Sequence, residues 1–228
     1  MMKTRIITVL FSLFVFSAQS ADIQTKETIL GQVYTDNKGM TLYVFDKDKT
    51  NQSNCYDDCA KAWPPFLVNG EGLQISRLGK APRKDGNPQW TLNHKPLYLW
   101  NKDRKPGDIT GAGINNIWSL ARADQIPVQV YTSEAGKILT NNNKMTLYTF
   151  SNDSQGISEC YNDCAKNWPP LIAKKEDVSS GNFSIIPRKD GTYQWAYNGK
   201  PLYTWAKDTK PGDMTGNKVM NIWHIVHL

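Results

Sequence analysis

The sequence predicts a mainly β chain with short helices (α+β), arranged as a tandem duplication. Three observations predict it. Gly31–Trp118 aligns with Gly136–Trp223 at a constant offset of 105 positions, without a gap and with about half of the positions identical. All eight tryptophans and all four cysteines have a twin at that offset. The strand-like pattern L-Y-x-[FW]-x-x-D occurs four times, twice in each copy. Self-similarity over a long fixed period marks a repeat architecture. Each unit is expected to hold two β-hairpins, one short cysteine-bearing helix and a closing strand.

Residues 1–20 read as a signal peptide. Lys3 and Arg5 precede an apolar run from Ile6 to Phe16, and small residues follow in Ser17-Ala18-Gln19-Ser20-Ala21. Cleavage after Ser20 is expected. The apolar run is shorter than the ~20 residues that span a bilayer, and no later stretch is longer. No cysteine stands beside the cleavage site, so no lipid anchor is expected. Loss of Lys3 and Arg5 lowers the formal charge from +6 to +4. Basic and acidic residues alternate, as in Asp46-Lys47-Asp48-Lys49, so no clustered basic stripe marks a nucleic-acid partner. The mature chain divides into a first unit at 21–123 and a second at 124–228. A connector near Ala123–Pro127 is too short to be a flexible tether, so the copies are expected to pack together.

Within the first unit, a β-prone run at Leu30–Tyr34 is followed by the turn signal Asp36-Asn37-Lys38-Gly39 and then by Leu42-Tyr43-Val44-Phe45. Side chains alternate along a strand, so Tyr43 and Phe45 share one face and Leu42 takes the other. The segment Ser53-Asn54-Cys55-Tyr56-Asp57-Asp58-Cys59 has a polar cap candidate, acids in the first turn and Pro64-Pro65 as a stop. It predicts a two-turn helix ending near Trp63. Gln89–Leu92, the turn at Asn93–Pro96 and the motif at Leu97–Asp103 form the second hairpin. A Pro-Gly-Asp loop and a strand at Asn116–Leu120 close the unit. The second unit repeats each element, with Asn198-Gly199 as its clearest hairpin turn and a closing strand at Asn221–Val226.

The repeated motif singles out Tyr43, Phe45 and Asp48; Tyr98, Trp100 and Asp103; Tyr148, Phe150 and Asp153; and Tyr203, Trp205 and Asp208. Each aspartate follows its strand, where its carboxylate is expected to accept backbone N–H bonds and fix a turn. Trp90, Trp100 and Trp118, with Trp195, Trp205 and Trp223, are expected to fill small cores, the alternative being rings that stack on sugars or a partner.

An even number of cysteines in an exported chain points to disulfides, and pairing inside each copy, Cys55–Cys59 and Cys160–Cys164, is the simplest. The alternative is a copper or thiol-redox site, because soft thiolates select Cu(I). No histidine is retained in both copies, and a thioredoxin-like motif needs two residues between cysteines where this chain has three. Asp46, Asp48 and Asp57 are spaced loosely like a calcium loop, but its central glycine is missing. Asp58, Asp85, Asp103 and Asp108 are retained in the twin, each with a turn or capping role available, so no catalytic or metal residue is assigned.

The fourfold Y-x-[FW]-x-x-D, the C-x-x-x-C-A-x-x-W-P-P segment and the R-K-D-G…Q-W…PLY string resemble the bacterial secreted-repeat family, predicted lipoproteins of unknown function. The resemblance covers nearly all of the mature chain. It implies an exported, periplasmic or secreted protein built of tandem repeats, and it supplies no catalytic residues. The expected function is non-catalytic: binding of a protein or envelope component, or a contribution to envelope stress tolerance. No cofactor is expected, with copper at the cysteine pairs as the alternative.

Overall fold

The computed structural model describes residues 22–70, 73 and 75–228; the expected signal peptide lies outside them. The first copy begins with β1 (Ile23–Thr28) and β2 (Gly31–Asp36), antiparallel along their whole length. The chain turns over Asp36–Gly39, where Asp36 Oδ1 accepts the N–H groups of Lys38 and Met40. It then enters β3 (Tyr43–Phe45), with Leu42 N–H bonded to Tyr34 C=O. After α1 (Asp57–Ala62) a second meander runs through β4 (Leu78–Pro82), β5 (Pro88–Leu92) and β6 (Lys95–Tyr98). A short 3-10 turn at Ile114–Asn116 leads to β7 (Trp118–Leu120). The sheet order is β4-β5-β6-β3-β7, so the two motif strands lie side by side, with Tyr43 opposite Tyr98.

The second copy repeats this plan in β8 (Val128–Ser133), β9 (Gly136–Asn141), β10 (Tyr148–Phe150), α2 (Asp163–Asn167), β11 (Ile172–Ala173), β12 (Phe183–Pro187), β13 (Tyr193–Tyr197), β14 (Lys200–Pro201) and β15 (Trp223–Ile225). Tyr148 again sits opposite Tyr203. The hairpin at Asn198-Gly199 has positive φ at both turn residues, as does Asn93-His94, the geometry that matches strand twist.

Two expectations need correction. The hairpins are parts of three-stranded meanders: β1, β4, β8 and β12 each add a strand ahead of the anticipated pair. Much of β1 faces solvent with Thr, Lys and Glu, so its sequence lacks the alternation that identifies a half-buried strand. The helices are also shorter than two full turns and lack a side-chain cap; Tyr56 and Asn162 take the cap positions. Ser53 Oγ instead accepts from Cys55 N–H and lies within a buried polar cluster.

Each meander is sealed by a tail from the other. Phe66, just past α1, donates to Leu97 C=O and accepts from Trp90 N–H in the second meander. Ala121, past β7, donates to Leu42 C=O and accepts from Tyr34 N–H in the first. The motif strands divide their faces as the alternation predicts. Leu42 and Leu97 join a core with Ile23, Tyr34, Phe66 and Trp90, whereas Tyr43, Phe45 and Tyr98 join Trp63 and Trp118.

The copies are packed together. One continuous apolar cluster holds Leu30, Trp63 and Ala112 of the first copy with Val130, Leu139 and Trp195 of the second. Asn116 and Thr132 exchange two hydrogen bonds at 2.6 and 3.0 Å, and Asn182 N–H donates to Ile29 C=O at 3.0 Å. At Gly181, with φ of +58°, an added Cβ falls 2.3 Å from the carbonyl oxygen of Thr28, so the junction there admits only glycine.

Candidate functional site

The four tyrosine–aspartate motifs resolve into reciprocal pairs. Tyr43 donates its hydroxyl to Asp103 at 2.7 Å, and Tyr98 donates to Asp48 at 2.7 Å. In the second copy Tyr148 donates to Asp208 at 2.7 Å and Tyr203 to Asp153 at 2.8 Å. Each motif thus supplies the tyrosine of one pair and the aspartate of the other. The second carboxylate oxygen accepts a backbone N–H bond and fixes a turn. Asp48 Oδ1 accepts from Asn54 N–H at 2.7 Å, and Asp153 from Glu159 N–H at 2.7 Å. Asp103 accepts from both the N–H and the hydroxyl of Thr110, and Asp208 from both groups of Thr215.

Burial sets the protonation states. It drives the phenol pKa of Tyr43, Tyr98, Tyr148 and Tyr203 far above the ordinary tyrosine value, so all four stay protonated donors. Burial also raises the carboxyl pKa of Asp48, Asp103 and Asp153, with the hydrogen bonds to those groups pulling the other way. Both oxygens of each carboxylate accept hydrogen bonds from structural donors.

Beside one pair in each copy lies a buried arginine. Arg83 donates to Ser53 Oγ at 3.0 Å, Gln89 Oε1 at 2.8 Å and Cys55 C=O at 3.1 Å, and its guanidinium covers the Tyr56 ring at 4.4 Å. Ser53 Oγ is also 2.8 Å from the Tyr98 hydroxyl, so Asp48, Tyr98, Ser53, Arg83 and Gln89 form one network. Arg188, Ser158 and Gln194 reproduce it. The R-K-D-G string stands out in the sequence without a role for Arg83, Gln89 or Thr110, and Ser53 is legible there only as a helix-cap candidate. Their joint retention at the 105-residue offset was the available signal.

The aromatic motif positions cap a four-ring stack. Phe45 lies on Trp118 at 4.3 Å, Trp118 on Trp63 at 3.7 Å and Trp63 on Trp100 at 4.2 Å. Tyr43 and Tyr98 meet the inner rings edge-on at 5.4 and 5.2 Å. Phe150, Trp223, Trp168 and Trp205 build the twin stack. Gly111 and Gly216 let the rings approach, because a Cβ at Gly111 lies 2.9 Å from both Trp63 and Tyr43. The tryptophans therefore serve as core, with only the outer Trp100 and Trp205 partly exposed.

Cys55 is bridged to Cys59 and Cys160 to Cys164, each with a Cα separation of 5.2 Å, and the chain has no free cysteine. Among the described residues no group of three or more His, Cys, Asp or Glu side chains is placed to hold a metal ion. Of the histidines, His94 sits in the β5–β6 turn and His224 beside Ser151. Asp46 pairs with Lys144 at 2.6 Å across the copies instead of joining Asp48 and Asp57.

A family model described as a secreted repeat of unknown function matches residues 24–66, 80–122, 129–172 and 184–227. The chain belongs to that family. Each matched span opens in the first strand of a meander and closes in the tail that seals its neighbour, so one family repeat is a meander plus a tail. Four such repeats refine the two-unit description, because the unit at the 105-residue offset is a pair of them. No curated protein and no solved structure matches the chain. The secreted-repeat family is an exported one, and among the described residues no helix is long and apolar enough to cross a membrane.

Proposed function

We propose that this member of the secreted-repeat family is a non-catalytic binding scaffold that engages a protein or envelope component. The observation that carries this reading is the reciprocal Tyr–Asp pairing. The groups with the composition of an acid–base site, Asp48, Asp103, Asp153 and Asp208, are consumed in holding paired repeats together. What remains for function is surface, and the junction of the copies is where that surface departs from internal symmetry. Ile29 and Val178, 51% and 75% exposed, flank this junction. A rigid scaffold with two bridged loops also suits persistence in the envelope under stress.

Photo-crosslinking tests the reading. A photoreactive residue replacing Ile29 or Val178 in the exported protein should give a discrete adduct, and the same residue replacing Ile157 in the second copy should not. Substrate turnover abolished by Asp48→Asn or Asp153→Asn in a folded protein would overturn the non-catalytic reading.

A further inference from the structure

The two copies handle one buried tryptophan differently. In the first, the indole N–H of Trp90 donates to Asp22 Oδ2 at 3.3 Å, and that oxygen also accepts Asn69 N–H at 3.1 Å. In the second, Pro127 stands at the position of Asp22 and brings no carboxylate. Trp195, 1% exposed, keeps an indole N–H with no acceptor. Buried donors without a partner are uncommon, and this one calls for an acceptor from a water or a bound molecule. Trp195 forms part of the wall of a cleft of about 540 Å3, between the β1–β2 ribbon of the first copy and the 174–180 loop of the second. That is the size of small-molecule sites.

The other walls define what fits. Glu27, Asp124, Glu176 and Asp177 line the cleft, with Lys174 as the one lining cation. Three of these carboxylates also brace it. Glu27 accepts from Ser180 and Gly181, Asp124 pairs with Arg122 at 2.8 Å, and Asp177 accepts from Lys174 N–H at 2.8 Å. An occupant must accept a hydrogen bond from Trp195 and donate to carboxylates. A hydroxyl does both. An anion meets an excess of like charge. Val178, 75% exposed, adds apolar surface for the C–H groups of a sugar ring.

We propose that this cleft binds a short saccharide without anionic groups, one of whose hydroxyls accepts from Trp195 Nε1–H. The proposal rests on the reading that the protein acts by binding. It is tested on the full mature chain by following the indole N–H resonances in 15N-labelled protein, with Trp195→Phe assigning the signal. Cellobiose or its diamino counterpart, di-glucosamine, should shift the Trp195 resonance saturably and leave Trp90 unmoved. Digalacturonate should bind at least tenfold more weakly. Gln125→Trp, a change at an exposed lining residue, should block the cleft and lower affinity at least tenfold even if Trp195→Phe fails to fold. A Trp195 signal unmoved by every saccharide, equal binding of digalacturonate, or unchanged affinity in Gln125→Trp overturns the proposal. In the first case a persisting crosslink at Ile29 or Val178 leaves the binding reading standing.

Discussion

A tyrosine and an aspartate separated by 60 residues in sequence, and their partners separated by 50, meet as two bonds across one pair of strands. Removing one hydroxyl strands a buried carboxylate, and an unmet buried polar group costs about 1–3 kcal/mol. Tyr43→Phe and Tyr98→Phe should each destabilise by that order in denaturant unfolding, with coupling to Asp103→Asn and Asp48→Asn respectively in double-mutant cycles. Additive effects would show that the pairs contribute shape and no bond energy. The pH response follows from the same groups. Asp48, Asp103 and Asp153 have raised folded-state pKa values, so the native state takes up protons before the unfolded chain does. Their contribution to stability is full below the ordinary Asp value of about 3.9 and is lost as pH rises through the folded values. Asp85 and Asp190, which are exposed, and Asp108 and Asp213, which are half-buried, are lowered by turn N–H and hydroxyl bonds. They stabilise above about pH 4, and that support disappears as pH falls through their folded values. Thermal melts should therefore show a Tm at about pH 5 no lower than at about pH 7, with a fall below about pH 3.5. A steady decline from neutrality would contradict this balance.

At the scale of elements, the sequence made legible what is local. The Asn-Gly turn, the alternation in the motif strands and the C-x-x-x-C segment all report on neighbours within a few residues. The edge strands β1 and β4 were not legible, because one is largely solvated and the other carries Gly79 and a terminal Pro82 with little apolar alternation. The exchange of tails was not legible either. Trp63 and Trp118 look alike in sequence whether each packs on its own meander or on the other. The disulfides belong to this scale. Cys55–Cys59 closes a loop with a sequence separation of 4, too short to constrain the unfolded chain much. Cys55→Ser with Cys59→Ser should lower stability toward the low end of the ~0–5 kcal/mol range, leaving β-rich circular dichroism intact. The copper reading is decided on the same sample, since thiolates are the ligands. Mildly reduced wild-type protein that competes with a strong chelator for one Cu(I) per cysteine pair would favour it. The expected result is intact local bridges by peptide mapping and no competitive uptake after mild reduction.

For the whole molecule, the decisive quantity is how much of each copy's stability is its own. One family repeat cannot be self-sufficient: its tyrosine lacks an aspartate, its aspartate lacks a tyrosine, and its meander lacks a tail. A pair of repeats closes all three. The first copy holds both of its Tyr–Asp pairs, its own four-ring stack and its own bridge. Against that, Leu30 and Ala112 are buried in a cluster completed by Val128, Val130 and Leu139 of the second copy, and Asp124 caps Gln32 N–H from the connector. We therefore propose that residues 21–123 fold alone with the aromatic stack formed, but less stably than the full chain. The exciton couplet of closely stacked tryptophans in far-ultraviolet circular dichroism checks the fold, and denaturant midpoints check the ranking. A fragment of residues 21–66 should remain unfolded under the same conditions. If residues 21–123 are equally disordered while the full chain is native, the shared cluster outweighs the paired repeats, and the folding unit is the whole chain.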